Sequence, residues 1–98
     1  MGKTYLVPLS AGRSFFDFEV DLDRTLLSIR FNWNIEGEFY MVNISQDGND
    51  IISGIGAHPN QDLLKHCKLG IGKLYIFGES PTPDNLGIKS RLVYESLQ

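Results

Sequence analysis

Carboxylates recur at every second position over Asp17, Glu19, Asp21 and Asp23. Residues two apart on an extended chain share a face, where such a row could bind a hard cation or share a proton in acid/base work. The acids alternate with Phe16, Phe18, Val20 and Leu22, however, and no matching histidine or calcium-loop glycine follows them. The row is therefore expected to be the wet face of a half-buried strand. Asp47-Gly48-Asn49-Asp50 resembles the start of a calcium loop but lacks its later ligands and terminal glutamate, which leaves a turn.

Nucleophiles are as sparse. The single cysteine, Cys67, has no disulfide partner in the chain, and together with His58 and His66 it falls short of a zinc shell. His66 and Cys67 are adjacent, so their side chains diverge by opposite faces on a strand or about 100° on a helix. That geometry does not place a base against a thiol. Ser53, Ser80, Ser90 and Ser96 lie outside any G-x-S-x-G context. Gly70-Ile71-Gly72-Lys73 lacks the spacing of a phosphate-binding loop, and its lysine opens a strand where such a loop opens a helix. The expectation is no catalytic residue, no metal and no cofactor.

The elements that would carry these residues are strands. Tyr5-Leu6-Val7-Pro8-Leu9 is a short one, its proline suited to an edge or a strand end. Residues 16–22 and 27–33 both alternate apolar with polar and are joined by a short connection, which predicts an antiparallel hairpin that brings the acids near Arg30. Residues 39–45 form another strongly β-favouring run, with Tyr40, Val42 and Ile44 expected in the core. Asp47-Gly48 turns the chain into residues 51–55. Pro59 and Asn60 then stop the pattern, and residues 62–66 allow at most one helical turn, capped by Asn60 or Asp62. Residues 73–77 and 91–94 close the list. Seven strands and no long helix predict an all-β fold, a small antiparallel barrel or sandwich, in one domain over residues 1–98.

Composition narrows the partners. An apolar fraction of 42% with 21% charged residues is that of a folding chain and not of a disordered one. The net charge of −3 is uneven, with eight acids and four bases in residues 1–50 against four acids and five bases in residues 51–98. No dense Lys/Arg patch suits nucleic acid. The N-terminus shows neither a signal peptide nor a spanning segment, and the lone cysteine suits a reducing cytoplasm, so neither a membrane nor nucleic acid is expected as a partner.

Residues 79–89 stand out as a long connection between two strands. Pro81 and Pro83 restrict its unfolded ensemble, and Asn85 and Gly87 tolerate left-handed backbone angles. Long ordered loops in small domains commonly serve contacts. The interface residues expected here are Tyr75, Pro83, Asp84, Asn85, Leu86, Arg91 and Tyr94, with Arg91 placed to meet a partner's carboxylate. Tyr5 joins Tyr75 and Tyr94 as a tyrosine suited to a strand-end contact. The competing reading is a small carbohydrate-binding β-barrel with Trp33, Tyr40 and Tyr75 as a stacking platform.

Several stretches carry a resemblance. Gly72-Lys73-Leu74-Tyr75, Pro81-Thr82 with Asp84-Asn85-Leu86-Gly87, and Arg91-Leu92-Val93-Tyr94 are the most specific. Val7-Pro8-Leu9, Arg30-Phe31-Asn32-Trp33, Asp47-Gly48 with Ile52-Ser53-Gly54-Ile55, and Pro59 with Leu63-Leu64 extend it over nearly the whole chain. In these stretches the chain resembles the baseplate plug proteins of contractile-tailed bacteriophages, the cyanophage plug among them. The acidic first hairpin and Lys65-His66-Cys67-Lys68 depart from that pattern. The resemblance implies a non-enzymatic virion protein of a phage or prophage, made in the host cytoplasm. It also implies symmetric copies, a homo-oligomeric ring, set where tail tube meets hub and spike.

Overall fold

The computed structural model describes residues 3–9, 11–65 and 71–96. Seven strands follow in chain order: β1 (Thr4–Val7), β2 (Phe15–Leu22), β3 (Thr25–Asn34), β4 (Phe39–Gln46), β5 (Asn49–Gly56), β6 (Lys73–Gly78) and β7 (Ser90–Glu95). They form two antiparallel sheets, one of order β1-β7-β6 and one of order β2-β3-β4-β5. The fold is thus an all-β sandwich. Of the two expected architectures the barrel falls, because among the described residues no ladder joins the two sheets.

Hydrophobic alternation explains the core. Leu27, Ile29 and Phe31 of β3 and Tyr40, Val42 and Ile44 of β4 are fully buried. They meet Leu74 and Ile76 of β6 and Leu92 and Tyr94 of β7 in one cluster. Phe16, Phe18 and Val20 are only half-buried against it, since β2 is an edge strand. An aromatic stack runs inward from β2: Phe16 lies parallel to Phe31 at 5.0 Å, and Tyr40 meets Trp33 edge-on at 5.0 Å.

The turns follow local chemistry. Asp23 (φ 52°) and Arg24 (φ 67°) make the two-residue β2–β3 turn, the first using the tolerance of Asp for left-handed angles. Asp47 (φ 52°) and Gly48 (φ 79°) make the β4–β5 turn in the same way. The segment expected to hold at most a helical turn has one turn at residues 63–65, with Asp62 Oδ1 accepting from the Leu64 N–H at 3.0 Å. Its larger role is to cover an edge. Asn60 donates to the Ile76 carbonyl (3.0 Å) and Leu63 to that of Leu74 (2.6 Å), so the outer side of β6 is not left open.

Candidate docking surface

Residues 79–89 fold into a rigid knot around Asn85. Its Oδ1 accepts from the Thr82 N–H at 2.8 Å, and its Nδ2 donates to the Ser80 carbonyl at 3.0 Å. The Asn85 carbonyl then accepts from Ile88, Lys89 and Ser90, leading directly into β7. Gly87, at φ 80°, makes the reversal that this requires. The knot is fastened to the first loop by the Gly12 N–H, which donates to the Pro83 carbonyl at 2.6 Å. Just beyond, the Tyr40 hydroxyl donates to the Arg13 carbonyl. Burial raises the Tyr40 phenol above its ordinary value, and the nearby Asp84 carboxylate adds to this.

The residues expected at an interface divide into two groups. Asp84 and Arg91 are exposed, Pro83 and Tyr75 half-exposed, and the Arg91 Nε donates to the Ile88 carbonyl at 3.3 Å. Leu86 is fully buried beneath the knot and Tyr94 is 1% exposed in the core. Asn85 holds the loop's shape. These three support the surface from within, because the chain already uses their side chains.

Tyr94 does so with its hydroxyl. It donates to Asp23 Oδ2 at 2.6 Å and accepts from the Gly72 N–H at 2.8 Å. Burial, with the Asp23 hydrogen bond second, pushes the phenol up to about 12. Ser96 Oγ donates to the same carboxylate at 2.8 Å, so Asp23 anchors the β2–β3 turn to the opposite sheet. Tyr5, by contrast, is exposed on β1.

The other chemistry-bearing residues are dispersed. Asp17, Glu19 and Asp21 lie on the outer face of β2, with Asp17 4.0 Å from Arg30 in an exposed pair. His58 packs beside the Phe39 ring at 5.5 Å. Among the described residues no group of three His, Cys, Asp or Glu could hold a metal, and no helix is long and apolar enough to cross a membrane. His66, Cys67 and Gly70 lie outside the described residues. The three aromatics of the carbohydrate reading do not form a platform: Tyr40 is fully buried under Trp33, while Tyr75 stands on the outer face of the other sheet.

That outer face was missed by sequence reasoning. The register sets Leu6, Val93 and Tyr75 in one row across β1, β7 and β6, with Arg91 beside Phe77 in the next. Leu6 is 57% and Phe77 61% exposed, and Ile88 of the knot is 59% exposed close by. An apolar stripe on a sheet face is the kind of surface that protein contacts cover. The signal for it was the non-alternating β7 sequence Leu92-Val93-Tyr94, apolar on both faces.

The fold and its surface define a small all-β sandwich module with a stiff loop at one end and an apolar stripe on one face. A family model described as the cyanophage baseplate Pam3 plug gp18 matches residues 4–97. The chain belongs to this baseplate plug family. No curated protein matches the sequence.

Proposed function

We propose that this chain is a structural component of a contractile phage or prophage tail baseplate, an adaptor joining the tail tube to the central hub and spike. The observation that carries the reading is the family match over residues 4–97, which takes in every strand of the sandwich and the residue 79–89 knot. Its work is mechanical. The exposed knot, Arg91 and the stripe of Leu6, Tyr75 and Phe77 present a surface whose shape is held by the Asn85 hydrogen bonds and by buried Leu86 and Tyr94, and which needs little reordering on docking. Hub, spike and tube proteins are its partners, and its place is in the virion. Co-elution tests this: purified chain and hub protein run together on a sizing column, and Arg91→Glu weakens the association about tenfold. Binding by neither hub, spike nor tube protein would remove the reading.

A further inference from the structure

The sandwich is least covered along the side where β1 and β2 lie. The Trp33 N–H donates to the Ser14 carbonyl at 2.7 Å, so antiparallel alternation has Phe16, Phe18, Val20 and Leu22 bonding β3. The N–H and C=O groups of Asp17, Glu19 and Asp21 then point the other way. The Ser96 N–H donates to the Lys3 carbonyl at 2.7 Å, which by the same alternation turns those of Thr4 and Leu6 away from β7. Among the described residues no strand pairs with either edge. Between the edges the inner faces are incompletely covered. Tyr5 stands opposite buried Tyr94, on the inward side of β1, yet is 49% exposed, and Phe16, Phe18 and Val20 are only half-buried on the inward side of β2. Two hollows follow this seam. One of about 340 Å³ lies between Tyr5 and Val7 of β1 and Val20 and Leu22 of β2. The other, of about 160 Å³, lies between Leu9 and the pair Phe16 and Phe18, and Pro8 borders both.

The geometry points to the β1–β2 seam as a strand-addition site. Its occupant is an extended arm of another baseplate protein, in which apolar residues alternate with Lys or Arg over about seven positions, the length of residues 16–22. Inward, the arm's apolar side chains cover Tyr5, Phe16, Phe18 and Val20. Its backbone takes up the outward-pointing groups of the two edges. Outward, its basic side chains stand beside Asp17, Glu19 and Asp21, all exposed, where opposite charges on neighbouring strands attract. The same row disfavours a second copy as occupant, since β2 paired with β2 sets carboxylate beside carboxylate. The inference rests on the baseplate reading only for the source of the arm, because the seam belongs to the chain alone.

NMR titration of the full, isotope-labelled chain tests it, with a capped synthetic peptide of about seven residues that alternates valine and lysine. Saturable shifts are expected at the amides of Asp17, Glu19, Asp21 and Leu6, with slowed hydrogen exchange there. A peptide N-methylated at its lysine amides, which face the β2 edge, is expected to bind about tenfold more weakly. A peptide with glutamate in place of lysine is expected to weaken by a similar factor. The double variant Glu19→Lys with Asp21→Lys, at two exposed positions, is expected to reverse the preference and take the glutamate peptide. Should that variant unfold, the N-methylated peptide still decides with the wild-type chain. No saturable shift up to roughly millimolar peptide, shifts confined to Tyr75, Phe77 and the knot, or indifference to N-methylation would overturn the inference. So would sedimentation showing that the chain closes the seam by dimerising. Hub co-elution is measured separately, so a chain that binds no peptide and still binds the hub refutes this site and leaves the baseplate reading standing.

Discussion

The Tyr94 hydroxyl donates to Asp23 Oδ2 at 2.6 Å, across 71 positions of sequence, and so ties the centre of one sheet to the hairpin turn of the other. The same oxygen accepts from Gly72, which places the start of β6 on the same anchor. One phenol therefore serves both sheets. Tyr94→Phe is expected to cost about 1–3 kcal/mol, since it strands a buried N–H and removes a donor from a carboxylate. Urea unfolding at neutral pH measures this.

The pH dependence has a definite sign. The Tyr94 phenol titrates near 10.0 when unfolded and at about 12 when folded, so the folded state holds its proton more tightly. Its contribution is fully present below pH 10 and is lost as pH rises through 12. Tyr40, also raised, acts in the same direction. Unfolding measured between about pH 9 and 12 should show stability falling in wild type, and falling less steeply in Tyr94→Phe.

Asn85 makes a local prediction. Asn85→Ala removes the acceptor for the Thr82 N–H and the donor to Ser80, at an expected cost of about 1–2 kcal/mol. The carbonyl of residue 85 still receives Ile88, Lys89 and Ser90. Amide exchange should therefore speed up at Thr82 and stay slow at Ser90, and hub binding should weaken through loss of loop shape.

Two glycines separate backbone angle from space. At Gly78 an added Cβ would sit 2.2 Å from the Lys89 carbonyl oxygen, with φ at +103°. Gly48 has φ +79° but open space around it. Gly78→Ala is expected to cost roughly 2–4 kcal/mol and Gly48→Ala about 1 kcal/mol, read as the difference in their melting temperatures.

Leu86 divides support from contact. It is fully buried under the knot, so Leu86→Ala should lower stability by about 2–5 kcal/mol. Arg91→Glu should leave stability nearly unchanged while weakening hub binding, which co-elution and thermal unfolding together measure.

Local signals carried most of the fold. Residues 16–22 and 27–33 alternate with the two-residue period, and the structure places strands over both, with Asp17 paired to Arg30. Asp47-Gly48 is the expected tight turn because its side chains tolerate positive φ. What stayed hidden was non-local. The choice between barrel and sandwich depended on β1 pairing with β7, a contact between the chain's two ends that no short pattern encodes. Tyr94 and Leu86 read as interface residues, and their burial within the chain was hidden because it depends on Asp23 and on the folded-back knot. The Asn60 and Leu63 hydrogen bonds that cover β6 come from a stretch with no strand pattern. The apolar stripe emerges only once Leu6, Val93 and Tyr75 are set side by side by the register.

The central claim is that the chain is built into a tail baseplate. Electron microscopy of purified tails from the strain that encodes it, labelled with an antibody against the chain, tests this most directly. Label at the baseplate end, near the junction of tube and hub, is the predicted result. Particles that lack the chain, or label along the sheath or on the head, would contradict the account.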